Sequence, residues 1–127
     1  MPTPEIKDNL PAVFFQFDSI ELRKDAEAGD SMVHFLDALA QIQDHFKKYG
    51  AKAHLTVHGF ARQDGDDGHN QTLSQQRADR IKELLMAAGI PEEQITAVGH
   101  GAGNLFPSNP TLNRCVVFER TPEVIVQ

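Results

Sequence analysis

The chain has 127 residues, 40% of them apolar and 24% charged, which suits one globular domain rather than a disordered or membrane-spanning chain. A net charge of −6 with no basic block argues against nucleic acid as the main partner, and a single cysteine, Cys115, excludes an internal disulfide and a multi-cysteine zinc site. No apolar run approaches the length that spans a bilayer.

Residues 1–11 are polar, carry three prolines and read as a tail or linker. The segment Met1–Glu5 lacks the basic and apolar regions of a signal peptide, which leaves a cytosolic protein or a fragment whose export signal was removed. Val13–Phe17 reads as a strand with Val13, Phe15 and Phe17 on one face. Asp18 and Ser19 then offer a cap for a short charged helix over 21–28. Ser31 is the expected N-cap of a long helix, because Met32, Phe35, Leu36, Leu39, Ile42, Phe46 and Tyr49 keep helical spacing until Gly50. His54–His58 alternates as a half-buried strand with Leu55 and Val57 inward.

A loop rich in Gly and Asp runs from Gly59 to Asn70, and the segment from Thr72 to Gly89 follows as a second amphipathic helix. At about 100° per residue, Leu73, Ile81, Leu84, Leu85 and Ala88 fan over one apolar face, and Arg77 falls near its middle. An unpaired guanidinium there costs several kcal/mol, so an anion is expected to answer it, either a protein carboxylate such as Asp18 or a ligand. Ile95–Val98 reads as a short strand, and Gly99, Gly101, Gly103, Pro107 and Pro110 punctuate a loop. Arg114–Phe118 is the last strand and 121–127 a tail, so the domain spans 12–120. The order strand, helix, strand, helix, strand, strand calls for two crossover helices on a mixed sheet: an α+β two-layer sandwich.

Three stretches carry a family resemblance. Phe15-Gln16-Phe17-Asp18-Ser19-Ile20-Glu21-Leu22 resembles the opening strand of OmpA-like domains, the module type of OmpA, Pal and flagellar stator proteins. Gly59, Gly65, Asn70, Leu73, Ser74, Arg77 and Ala78 match the central motif of that family at its spacing, and Gly99, Gly101, Pro107, Asn113 and Arg114 match its closing segment. The resemblance covers about 12–119. It implies a βαβαββ fold with a four-stranded mixed sheet of order 1-4-2-3, helices on one face, and non-catalytic binding of peptidoglycan in the bacterial envelope. It further implies a periplasmic location, with attachment to the outer membrane through a region outside this chain. In such domains an aspartate after the second strand holds the ammonium of diaminopimelate, and the arginine matching Arg77 receives its carboxylate. The implied peptidoglycan-binding residues are therefore Arg77, Arg62, Asp18, Phe17, Phe60, Leu73 and Asn70, with no cofactor and no metal.

Two positions depart from the family pattern. Gly59-Phe60-Ala61-Arg62 stands where the family usually reads Gly-His-Thr-Asp, so the aspartate position holds Arg62 and Phe60 makes the wall more apolar. Loss of that anchor for a zwitterion is worth on the order of 2–5 kcal/mol. The closing loop over 108–112 is short, and Cys115 replaces a usual second arginine. The reversal at Arg62 motivates an alternative: a scaffold that has lost peptidoglycan binding and serves protein–protein assembly with envelope or secretion proteins.

Other residue patterns have weaker chemistry behind them. Arg62 pairs with Asp64 or Asp66, or forms an anion site with Arg77; Asp64 is also a candidate replacement for the missing family aspartate. Asp64-Gly65-Asp66-Asp67-Gly68 fails the calcium-loop pattern because its glycine comes one position early and no glutamate closes it. His54 and His58, four residues apart on one strand, stand too far from each other to chelate one ion, and His69 is expected to pack beside the helix start. Ser74 and Cys115 have no local base, so a hydrolase lacks support. Gly99-His100-Gly101-Ala102-Gly103 opens no helix and is not a phosphate loop.

Overall fold

A computed structural model describes residues 3–63 and 65–124. The elements are β1 (Val13–Phe14), β2 (Lys24–Asp25), β3 (Gly29–Asp30), α1 (Ser31–Tyr49), β4 (His54–Ala61), α2 (Asp67–Ala87), β5 (Ile95–Ala102) and β6 (Cys115–Thr121). Four strands form one sheet in the order β1-β6-β4-β5. β6 runs antiparallel to both β1 and β4, and β4 runs parallel to β5, as the α2 crossover requires. This is the expected α+β sandwich with the last long strand between the first and second.

Strand alternation divides the core into two layers. Val13, Phe15, Leu55, Val57, Val116 and Phe118 face the helices and pack with Phe35, Ala38, Ile42, Ala78, Ile81 and Leu85. Phe14, Phe60 and Cys115 point to the opposite face, where Ile6, Leu105, Phe106 and Leu112 cover them.

Several boundaries differ from the sequence expectations. Regular pairing of β1 stops at Phe14; Phe15 makes one bridge to Leu22, and the chain turns at Asp18, φ 48°. Phe17 therefore leaves the strand face it was expected to share and stands 73% exposed. The charged segment 21–28 is not a helix but leads into the β2–β3 hairpin. Asp25 decides this, because its carboxylate accepts the backbone N–H groups of Glu27 and Ala28 and so closes a turn. Asp30, not Ser31, caps α1 by accepting from Met32 and Val33. Ser31 is buried, and its Oγ accepts from the N–H of Phe14. The inward stripe of α1 is Phe35, Ala38, Ile42 and His45, which leaves Met32 and Leu36, one position off it, exposed.

α2 begins five residues earlier than expected, at Asp67, because Asp66 caps it by accepting from the N–H of His69. β5 continues through Gly99 and Gly101, which had read as loop. The glycines are there for proximity. A Cβ on Gly59 would collide with the Ser74 carbonyl, and one on Gly99 with the backbone of Gln75. Residues 3–11 are not a loose tail: Leu10 is buried, the Thr3 hydroxyl accepts from Asn104, and Asp8 forms a buried pair with Arg120 at 2.8 Å. At the other end, Thr121 belongs to β6, whereas 125–127 lie outside the described residues.

Candidate functional site

A pocket of about 240 Å³ opens where the chain after β1, the end of β4 and the first turns of α2 converge. Its walls are Phe17, Asp18, Ala61, Arg62, Gly65, His69, Asn70, Leu73, Arg77 and Arg114. Six of the seven expected residues thus meet at one place, although they are spread over 61 positions of sequence.

Phe60 is the exception. Its side chain is fully buried on the opposite sheet face, stacked on His100 at 4.9 Å, because β4 alternation turns it away from α2. Only its carbonyl serves the site, and Ala61 takes its place in the wall.

Arg77 is the floor of the pocket and is fully buried. Among the described residues no carboxylate forms an ion pair with it, although Asp18 acts on it at longer range. Its Nε–H donates to the Ser19 carbonyl at 2.9 Å, Nη1–H to the Phe60 carbonyl at 3.0 Å and Nη2–H to the Gln16 carbonyl at 3.2 Å. The guanidinium also lies 5.4 Å from the centre of the Phe15 ring. Of the two partners the sequence left open, the internal ion pair with Asp18 is not formed, and three backbone dipoles hold the guanidinium instead. Those carbonyls belong to the end of β4 and the turn after β1, so Arg77 staples the two walls to α2. Burial pulls its pKa down to about 10, and the guanidinium stays cationic at neutral pH.

Asp18 turns to His69 instead, with Oδ1 2.5 Å from Nε2. His69 is thus half-exposed at the rim rather than packed inside. Arg114 stacks over Phe17 at 5.1 Å and completes the rim. It was not among the expected site residues, although it falls within the closing Asn113-Arg114 match. Arg62, Asn70 and Arg114 make further polar or electrostatic contacts. Asp64, the candidate replacement aspartate, lies outside the described residues, and Asp66 is committed to the α2 cap.

Nucleophilic chemistry finds no footing at the two groups considered. The Ser74 hydroxyl donates to the Gln71 carbonyl and accepts from the N–H of Gly101, and burial pushes the Cys115 thiol up to about 12. Among the described residues no cluster of three His, Cys, Asp or Glu side chains is arranged to hold a metal, and no helix is long and apolar enough to cross a membrane.

Comparison with known proteins agrees with this architecture. Outer membrane protein A of Yersinia pseudotuberculosis is 32% identical over 124 residues, covering 91% of this chain and 33% of that protein. Outer membrane porin F of Pseudomonas fluorescens is 39% identical over 70 residues, 55% of this chain and 21% of that protein. The chain therefore spans about a fifth to a third of the length of these relatives. The peptidoglycan-associated lipoprotein of Burkholderia pseudomallei superposes with a TM-score of 0.65 at 20% identity, over 87% of this chain and 90% of that one. The C-terminal domain of Helicobacter pylori MotB gives 0.65 at 18% identity, over 89% and 85%. The OmpA family model matches residues 14–115, and the chain belongs to that family.

Proposed function

We propose that this chain is a non-catalytic module that binds peptidoglycan stem peptides in the bacterial cell envelope. The observation that carries this is the pocket itself: Phe17, Asp18, Arg62, Asn70, Leu73 and Arg114 ring a buried Arg77 that is cationic at neutral pH. A cationic floor inside an apolar wall suits a carboxylate on a short aliphatic chain, which is the chemistry of diaminopimelate. Family membership and the likeness to a peptidoglycan-associated lipoprotein support the same ligand class. The module would act in the periplasm and hold a larger envelope protein to the wall.

Purified sacculi test this directly. The wild-type domain should sediment with them and be released by millimolar diaminopimelate. Asp18→Asn should weaken retention severalfold while the melting temperature stays near wild type. Retention that free diaminopimelate leaves unchanged would remove the pocket from the proposal.

Arg62 favours a second reading, because it lines the pocket at the family's aspartate position. On that reading the scaffold has given up the wall for a protein partner in an envelope assembly. A well-folded wild-type domain that ignores sacculi, together with an Arg62→Asp variant that gains binding, is the outcome this alternative requires.

A further inference from the structure

On the sheet face opposite the pocket, three titratable side chains from three neighbouring strands form one hydrogen-bonded chain. His58 Nε2 lies 3.0 Å from Glu119 Oε1, and His58 Nδ1 lies 2.7 Å from His100 Nε2. The two imidazole planes are 20° apart, and the His100 ring stacks in turn on Phe60. The pocket does not use this cluster.

Proton counting limits what the chain accepts. A carboxylate can only accept, so His58 Nε2 carries a proton toward Glu119. In the neutral pair His58 Nδ1 then accepts from the N–H of His100 Nε2, and every contact is filled. One added proton is tolerated, since a single N–H between the rings still suffices whichever ring holds the charge. A second sets two N–H donors head to head across 2.7 Å, and the contact opens.

We propose that Glu119, His58 and His100 form an acid-sensitive latch whose opening loosens the pocket floor through Phe60. The path is short: His100 stacks on the Phe60 ring, and the Phe60 carbonyl holds Nη1 of Arg77 at 3.0 Å. Burial and the neighbouring His58 hold the His100 pKa below the ordinary 6.5. The folded protein thus binds fewer protons here than the unfolded chain, so this contribution to stability is complete above about pH 6.5 and is lost as pH falls through the lowered value. Among the described residues the other titratable groups on this face and on the elements packed over it are few, and Cys115 beside Phe60 stays a neutral thiol because burial pushes its pKa up to about 12. His54 is bonded to Thr96, His34 to the Ala12 carbonyl, and Asp25 and Glu27 to Arg23. Glu5 and Lys7 flank Ile6 on the lead-in segment, and residues 103–113 contain no ionisable side chain.

His100→Gln keeps a neutral donor near the Nε2 position and removes the second of the two protonations that open the contact. Between pH 7.5 and 5.0 the wild type should lose about 5 °C more in Tm than this variant. Over the same range the NMR signal of the Arg77 Nε–H should stay in place through the first imidazole protonation, move with the second in the wild type, and stay fixed in His100→Gln. Parallel melting of the two proteins, or an Arg77 signal that ignores the histidines, overturns the latch. If the variant does not fold, the wild-type imidazole signals decide. Two separated imidazole titrations, with the Arg77 signal moving only in the second, support the latch, and two independent ordinary titrations refute it.

Discussion

A guanidinium buried under a pocket has to satisfy the fold before it can serve a ligand. Arg77 donates to three main-chain carbonyls on two separate segments, so it acts first as a staple. Arg77→Met should cost about 3–5 kcal/mol in urea unfolding, since it leaves the buried Phe60 carbonyl unpaired and releases the Gln16 and Ser19 carbonyls of the turn after β1. Arg77→Lys should recover only part of that, because one ammonium does not match three separated acceptors. Lost sacculus binding in Arg77→Ala would therefore report folding as much as recognition. The rim residues Asp18 and Arg62 are the sharper probes of ligand contact. The helical pattern located Arg77 and its burial. It did not reveal the partners, because backbone carbonyls leave no trace in side-chain spacing.

At the scale of elements, the contact of α2 with β5 explains why a glycine-rich segment is a strand. β5 is an edge, and its outward backbone groups are met by helix side chains. Gln75 Nε2–H donates to the Ala97 carbonyl and its Oε1 accepts from the N–H of Gly99, while Gln71 Nε2–H donates to the Gly99 carbonyl. Ser74 Oγ accepts from Gly101. Three side chains on one helix thus stand in for a fifth strand and close the edge to other chains. Gln75→Ala should destabilise by about 1–2 kcal/mol, measured by denaturant unfolding. Gly99→Ala should do more damage, since its Cβ meets helix backbone rather than a movable side chain. The long helices and the Leu55/Val57 alternation were legible because period alone encodes them. The 21–28 hairpin and the extension of β5 were not, because Asp25 and Gln75 act through hydrogen bonds whose targets are set by the fold.

At the scale of the molecule, the lead-in segment belongs to the domain. Asp8 and Arg120 are 112 residues apart, yet Arg120 donates Nε–H, Nη2–H and its backbone N–H to one carboxylate. Burial alone would raise the Asp8 pKa, but the bonds from Arg120 outweigh it and hold it below 3.8. This pair therefore contributes fully above about pH 4 and is lost as pH falls through the depressed value. Asp8→Asn should cost about 3–5 kcal/mol at pH 7, as a buried Arg120 loses its partner, and should flatten the stability curve below pH 4. Removal of residues 1–11 should lower stability by a similar amount, whereas a loose tail would be dispensable. The two acid-sensitive devices are separable in a pH titration, because one fades below neutrality and the other only in strong acid.

The sequence by itself determined the α+β class, the strand order implied by its family motifs, and six residues that converge on one pocket. Periodicity and motif spacing are local properties, and close helix–strand approach demands glycine at fixed positions such as Gly59. Tertiary structure alone decided that Phe60 faces away, that carbonyls rather than Asp18 hold Arg77, and that Asp8 fastens the lead-in to β6. Those outcomes depend on which distant backbone a side chain meets after burial, and no short-range pattern records that.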